Sequence, residues 1–301
     1  MLYKFRYSVY ITLIVAVYIA VSIVLIGYSP TTVAMSAVTF VLAWSGSAAR
    51  RLLLCFSPMI VFAILYDFMR VYPNYMVAPI DIEGLYNSEK DLFGIVVGDG
   101  NVLTPSEYFD AHHNVVLDLI SGICYLLWVP LPLAYAFRLY FTCRYELCLK
   151  FLLAFLFVNI VGFTGYYIHP AAPPWYIIQY GTEPILSTPG NVAGLARFDQ
   201  LVGVPVFHSI YVNNSNVFAA LPSLHAAYNP VALYFAWRYG KDYTWAAVIG
   251  VVSVGVWFAA VYSGHHYTID VLLGILTVVV VLSLFELISR HCKFKLKTFL
   301  R

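Results

Sequence analysis

Two short segments in the last third of the chain hold the residue types needed for nucleophilic and acid–base chemistry. One is Leu221-Pro222-Ser223-Leu224-His225 and the other is His265-His266-Tyr267-Thr268-Ile269-Asp270. His266 and Asp270 are four positions apart, so on a helix they project from one face. A carboxylate placed there takes the proton of one imidazole nitrogen and leaves the other basic and fixed in direction, which prepares a histidine for attack. Alone, the pair reads equally well as a helix-end pair at a membrane interface.

Pro222-Ser223 has the form of a helix start, with serine as N-cap and proline beside it. Free N–H groups of such a first turn bind anions, and the Ser223 hydroxyl adds a donor. His225, one turn in, can exchange a proton with an oxygen of a bound phosphate. Alone, this too reads as an ordinary cap with an interfacial histidine. Together the segments make a double-displacement device at phosphorus: His266 attacks, His225 protonates the leaving oxygen, and Asp270 orients His266. Histidine titrates in the right range for both roles. Such a device asks for no metal and no cofactor if basic side chains neutralise the phosphate.

The elements that must position these residues lie in a membrane. The 301 residues are 61% hydrophobic and 11% charged, with mean hydropathy +0.80, more apolar surface than a water-soluble domain can bury. Apolar runs near 8–28, 31–48, 52–67, 115–137, 150–168, 221–238, 243–262 and 267–288 predict about eight spanning helices. The second and third are short, and Pro58 interrupts the third. The expected fold is an all-α polytopic membrane helix bundle. Its parts are N-terminal spans (1–60), a catalytic membrane domain (61–290) and a basic cytoplasmic tail (291–301).

With the N-terminus in the cytoplasm, all but Arg70, Lys90 and Arg197 of the 17 basic residues fall on the cytoplasmic side, the usual topogenic bias. Both chemical segments then open on the extracytoplasmic face, periplasmic in a bacterium and Golgi-luminal in a eukaryote. The net charge of +2 gives no sign of a nucleic-acid partner. None of the five cysteines falls in an outer loop and none has CxxC spacing, so neither a disulfide framework nor a zinc site is implied.

Two outer insertions interrupt the bundle. In the first, about 68–114, Thr104-Pro105-Ser106-Glu107 has the form of a capping box, and Ser88-Glu89-Lys90-Asp91 is a weaker one; each predicts the start of a short surface helix. The second, about 169–220, begins with the proline- and aromatic-rich His169–Tyr176 segment and continues as a loop over the active face; Asn213-Asn214-Ser215 in it matches a glycosylation sequon. Arg70, Lys90 and Arg197 are candidate phosphate-binding cations by charge and location. Asp118, just inside the fourth span, is costly in lipid and so paired or functional. His112 or His113 could pair with it, or it could meet a headgroup. Asp67 with Arg70, and Glu286 with Arg290, have the spacing of local ion pairs.

The PSLH and HHYTID segments resemble the second and third motifs of the type 2 phosphatidic acid phosphatase superfamily. That resemblance implies a six-helix lipid phosphatase-like core, His266 as nucleophile, Asp270 as its orienting acid group and His225 as acid/base. Pro170–Tyr176, Ala220–Ala226, Ser106–Phe109 leading to Leu117-Asp118, and Tyr66-Asp67 with Arg70 resemble the inositol phosphorylceramide synthase branch. The similarity runs from about 60 to 285. The superfamily arginine six residues before the nucleophile is Ala260 here, and the lysine and arginine of its first motif have no counterpart. The resemblance implies a phosphatidylinositol-like donor and a ceramide-like acceptor. A lipid phosphatase would use the same triad with water as acceptor. A transporter would place polar residues at mid-span, often with repeats; here they gather at one edge and no repeat is evident.

Overall fold

A computed structural model describes residues 2–98, 100–212 and 216–291. The sequon at 213–215 and the basic tail beyond 291 lie outside them. The helices are α1 (Leu2–Leu25), α2 (Pro30–Trp44), α3 (Ser47–Phe68), α4 (Glu83–Phe93), α5 (Pro105–Ala111), α6 (Val115–Leu126), α7 (Pro130–Phe141), α8 (Tyr145–Ile168), α9 (Pro174–Tyr180), α10 (Ala196–Val202), α11 (Val206–Tyr211), α12 (Leu224–Phe235), α13 (Tyr243–Tyr262) and α14 (Thr268–His291). A three-residue-per-strand hairpin, Ile95–Val97 with Asn101–Leu103, links α4 to α5.

Among the described residues, five helices are long and apolar enough to cross a membrane. They are α1, α3, α8, α13 and α14, and α6 with α7 makes a sixth if that pair, bent by 41°, is one span. This is a multi-pass membrane protein of helical fold. The expected count of eight is not reached by length. α2 has 15 residues, and α12 has 12 before its last turn widens into a π-helical turn at Ala236–Gly240.

Pro58 does not interrupt α3, which runs 22 residues through it. A proline at 58 removes the N–H that would bond Leu54 C=O. The Ser57 hydroxyl donates to that carbonyl instead, at 2.9 Å. α12 solves the same problem at Pro230 with a neighbour: the Trp257 indole N–H of α13 donates to the freed Ala226 C=O at 2.9 Å.

The chain forms two compact units. The first contains residues up to Tyr72 and Ala136–Leu156; the second contains Pro73–Tyr135 and the described chain from Phe157 onward. In the second, α12 packs on α13 and α14, and α13 packs on α6. Tyr125, Phe207, Ala226, Val256, Ala259 and Val271 lie at the centre of its core. Gly274 lets α14 approach the segment before α12, since a Cβ there would lie 2.2 Å from Ser223 C=O.

The Thr104 box forms as expected, with Thr104 Oγ1 accepting from Glu107 N–H and Glu107 Oε2 accepting from Thr104 N–H. The second box does not. Residues 88–91 lie inside α4, and the helix begins earlier, where Asp81 Oδ1 accepts from Gly84 and Leu85 N–H. The second insertion is not all loop, because it folds into α9, α10 and α11.

Candidate active site

Ser223 ends an extended segment and caps α12, its hydroxyl accepting from Ala226 N–H at 3.3 Å. Its own N–H donates to Asp270 C=O at 2.9 Å. One main-chain bond therefore joins the two segments that the sequence sets apart. Ser223 is fully buried, so what it retains for a ligand is its hydroxyl proton.

That junction sets the register of the side chains. His225 Nδ1 lies 3.0 Å from His266 Nε2. His266 Nδ1 lies 3.4 Å from Asp270 Oδ2. Asp270 is fully buried, and its Oδ2 also accepts from Tyr267 N–H at 2.9 Å. The His265 and His266 N–H groups both donate to Ala260 C=O, each at 3.0 Å.

On its other edge, His225 Nε2 is 3.4 Å from the Tyr211 hydroxyl, which is 3.3 Å from that of Tyr125. Tyr125 stacks on the His225 ring at 5.0 Å, and Trp128 lies 4.1 Å from it. The Tyr211 hydroxyl can donate to Tyr125 or turn to His225 Nε2. With the second choice and Asp270 ionised, His225 Nδ1 donates to His266 Nε2 and the His266 Nδ1 proton faces Asp270. His266 then presents a bare nitrogen, and His225 faces it with a proton. Such an arrangement suits one imidazole to attack and the other to give a proton.

The N-terminus of α14 is closed by Glu89, a buried residue of α4. Its carboxylate accepts from Thr268 N–H at 2.7 Å and Ile269 N–H at 3.1 Å, a capping arrangement that also suits the helix dipole. His265 is buried, with Nδ1 3.1 Å from Ser263 Oγ and its ring 4.7 Å from Tyr211. Burial, then the neighbouring His266, lowers its pKa to about 3, so this imidazole is neutral at ordinary pH.

The other candidates gather elsewhere. Arg197 Nε bonds Asp118 Oδ1 at 2.7 Å and its Nη1 lies 3.3 Å from Asp110 Oδ1. Tyr262 donates to the same Asp118 oxygen at 2.9 Å, while His113 Nδ1 stands 3.9 Å from Oδ2. Asp118 is thus paired chiefly with Arg197. Lys90 lies over the Tyr86 ring at 4.5 Å and 4.0 Å from Glu107; the Tyr86 hydroxyl, more than Glu107, holds its ammonium above the usual pKa. Arg70 belongs to the first unit, where it pairs with Asp67 at 2.9 Å. Glu286 accepts the hydroxyls of Tyr234 and Tyr239; the side chain of Arg290 lies outside the described residues.

An apolar groove of about 480 Å³ flanks the junction, lined by Val161, Gly165, Pro222, Leu273 and Thr277 among others. It is large enough for a hydrocarbon chain and reaches the residue preceding Ser223.

Residues 102–284 match the PAP2 superfamily. This chain is a member of the PAP2 superfamily. The match covers the capping box of α5, Asp118 and both halves of the histidine site. Among PAP2 relatives, the phosphoinositol dihydroceramide synthase of Bacteroides thetaiotaomicron is 51% identical over 265 residues, 88% of this chain and 87% of the relative. The inositol phosphorylceramide synthase catalytic subunits of Saccharomyces cerevisiae and Schizosaccharomyces pombe are each 28% identical over 72% of this chain. The aligned part is 52% and 49% of those two proteins, so this chain spans about half the length of the yeast relatives. No solved structure matches this PAP2 chain.

Glu89, Tyr211, Tyr125, Trp128, His265 and Trp257 are missing from the sequence-based list of site residues. Glu89 had a usable signal, since it is four positions from the buried Leu85 on one face of α4. Tyr211 had none, because nothing local distinguishes it among 25 tyrosines.

Proposed function

We propose that this protein transfers inositol phosphate from a phosphatidylinositol-like donor to a ceramide-like acceptor. The observation that carries the chemistry is the contact of His225 Nδ1 with His266 Nε2 at 3.0 Å, with Asp270 on the opposite edge of His266. The relatives' names supply inositol and ceramide. In this reading His266 Nε2 attacks phosphorus. Diacylglycerol leaves with the proton of His225, and the headgroup phosphate stays on His266 as a phosphohistidine. The acceptor's primary hydroxyl then gives its proton to His225 and attacks phosphorus, freeing His266.

A tetrahedral phosphorus cannot sit between nitrogens 3.0 Å apart, so in-line attack requires the two rings to part as phosphate enters. The groove beside Pro222 is the place for a lipid chain, and the Ser223 hydroxyl for a phosphate contact. Lys90 and Arg197 supply positive charge in the layer of the insertions, with Asp118 and Asp110 holding Arg197 and His113 beside Asp118; Arg70, paired with Asp67, is the remaining candidate cation. The gathering of basic residues on the other side of the membrane supports an extracytoplasmic site.

Purified protein with labelled phosphatidylinositol, with and without ceramide and with no added divalent metal, tests the proposal. Label on ceramide is expected, and His266→Ala should abolish it. Release of inositol phosphate or phosphate with ceramide untouched would replace the transferase by a lipid phosphatase. Near-normal turnover of His266→Ala would remove the nucleophile assignment.

A further inference from the structure

We propose that a polar cavity above the catalytic turn holds the donor's headgroup, and that it selects a neutral, polyhydroxylated ring. This rests on the transferase reading. The cavity, about 100 Å³, is lined by Ser106, Asp110, Gln179, Arg197, Tyr262 and Ser263 among others. Its walls come from α5, α9 and the start of α10, all inside the two insertions. Its floor is the turn that follows α13.

Position is the first argument. The floor residues Ser263 and Gly264 immediately precede His265 and His266. Two residues of chain span at most about 7 Å, so the floor of the cavity belongs to the same turn that carries His266. The apolar groove lies on a different flank, beside Pro222. A phospholipid with its chain in the groove and its phosphorus at His266 has one part left to place, its headgroup.

Unspent hydrogen-bonding capacity is the second. Gln179 Oε1 accepts from Asn191 at 2.6 Å, which leaves the amide protons of Gln179 as donors. Ser106 donates to Val261 C=O at 3.0 Å and keeps its lone pairs. Asp110 uses one oxygen on Arg197, and the other remains an acceptor. Arg197 spends Nε on Asp118 and Nη1 on Asp110, while its buried Nη2 has no hydrogen-bond partner. Gly194 is part of this design: a Cβ there would lie 2.7 Å from Arg197 Nη2 and 3.0 Å from Ser263 Cα.

Charge is the third. The guanidinium of Arg197 and the carboxylate of Asp110 in the wall pair with each other, so this wall offers no unopposed charge to a cationic or a second anionic group and suits a neutral one. Donors and acceptors mixed at short range suit hydroxyls, each of which gives one hydrogen bond and takes others.

Gln179→Leu and Asp110→Asn test this through kcat/KM for donor and for acceptor, measured on one preparation. The ring is free in the first half-reaction and already held in the second, so its contacts cancel from the acceptor term. Loss of one such bond should lower donor kcat/KM about tenfold and acceptor kcat/KM less than about threefold. The ratio is insensitive to the folded fraction of the sample. An unchanged ratio in both variants would overturn the headgroup cavity and leave the transferase standing. Failure of the unaltered protein to move inositol phosphate to ceramide would overturn the transferase itself.

Discussion

Replacing Asp270 by asparagine separates two roles of that carboxylate, because the structure dictates which way the new amide must face. Asp270 Oδ2 accepts from Tyr267 N–H at 2.9 Å and lies 3.4 Å from His266 Nδ1. An amide nitrogen in that place would set donor against donor at Tyr267. The amide oxygen therefore takes the Oδ2 position and still receives the His266 proton, so the imidazole keeps its working tautomer. What disappears is the negative charge that supports His266 as it attacks. A hydrogen bond to a charged group exceeds a neutral one by about 1–1.5 kcal/mol, so Asp270→Asn should lower kcat about 5- to 15-fold. Asp270→Ala also orphans Tyr267 N–H and frees the ring, and should lower kcat at least about tenfold further. Initial rates of labelled headgroup transfer, with melting temperatures to confirm folding, measure both. An asparagine variant as inactive as the alanine variant would refute the Tyr267 anchor, and one at the unaltered rate would refute the Asp270–His266 coupling.

Trp257→Phe leaves Ala226 C=O buried without its donor and should cost about 1–3 kcal/mol, read as a lower melting temperature in detergent. Glu89→Ala uncaps α14 and should cost about 0.5–2 kcal/mol, with Glu89→Gln in between; a melting series checks the order. His265 has a folded pKa near 3 against 6.5 as the ordinary value. The unfolded chain therefore binds the proton first as pH falls, and stability should decline from about pH 6.5 towards 3. His265→Gln should flatten that decline in melting temperatures measured against pH.

Each half of the histidine site was legible locally, from the proline–serine helix start before His225 and the four-residue spacing of His266 and Asp270, although His266 lies in the turn before α14 and not on that helix. The meeting of His225 with His266 across 41 positions does not follow from spacing. The partner of Asp118 was not legible. Arg197 reaches it across 79 positions, and spacing carries no information at that range, so the sequence offers only the nearby His112 and His113 or a headgroup. Pro58 misled for a related reason. A proline breaks a helix only when its freed carbonyl stays unpaired, and whether Ser57 or Trp257 supplies the donor depends on side-chain direction and on a distant helix. Residues 88–91 had cap-like chemistry, but the better cap at Asp81 had already begun the helix.

The main-chain bond from Ser223 N–H to Asp270 C=O sits at the seam of α12 and α14, with Gly274 drawing the two backbones together. Prying the helices apart would sever it inside an apolar surround, where neither group finds water. The departing diacylglycerol and the arriving acceptor must therefore trade places around a stiff two-helix block. In the proposed transfer, the movement needed falls to side chains and to the short helices of the insertions, and not to the backbones of α12 and α14.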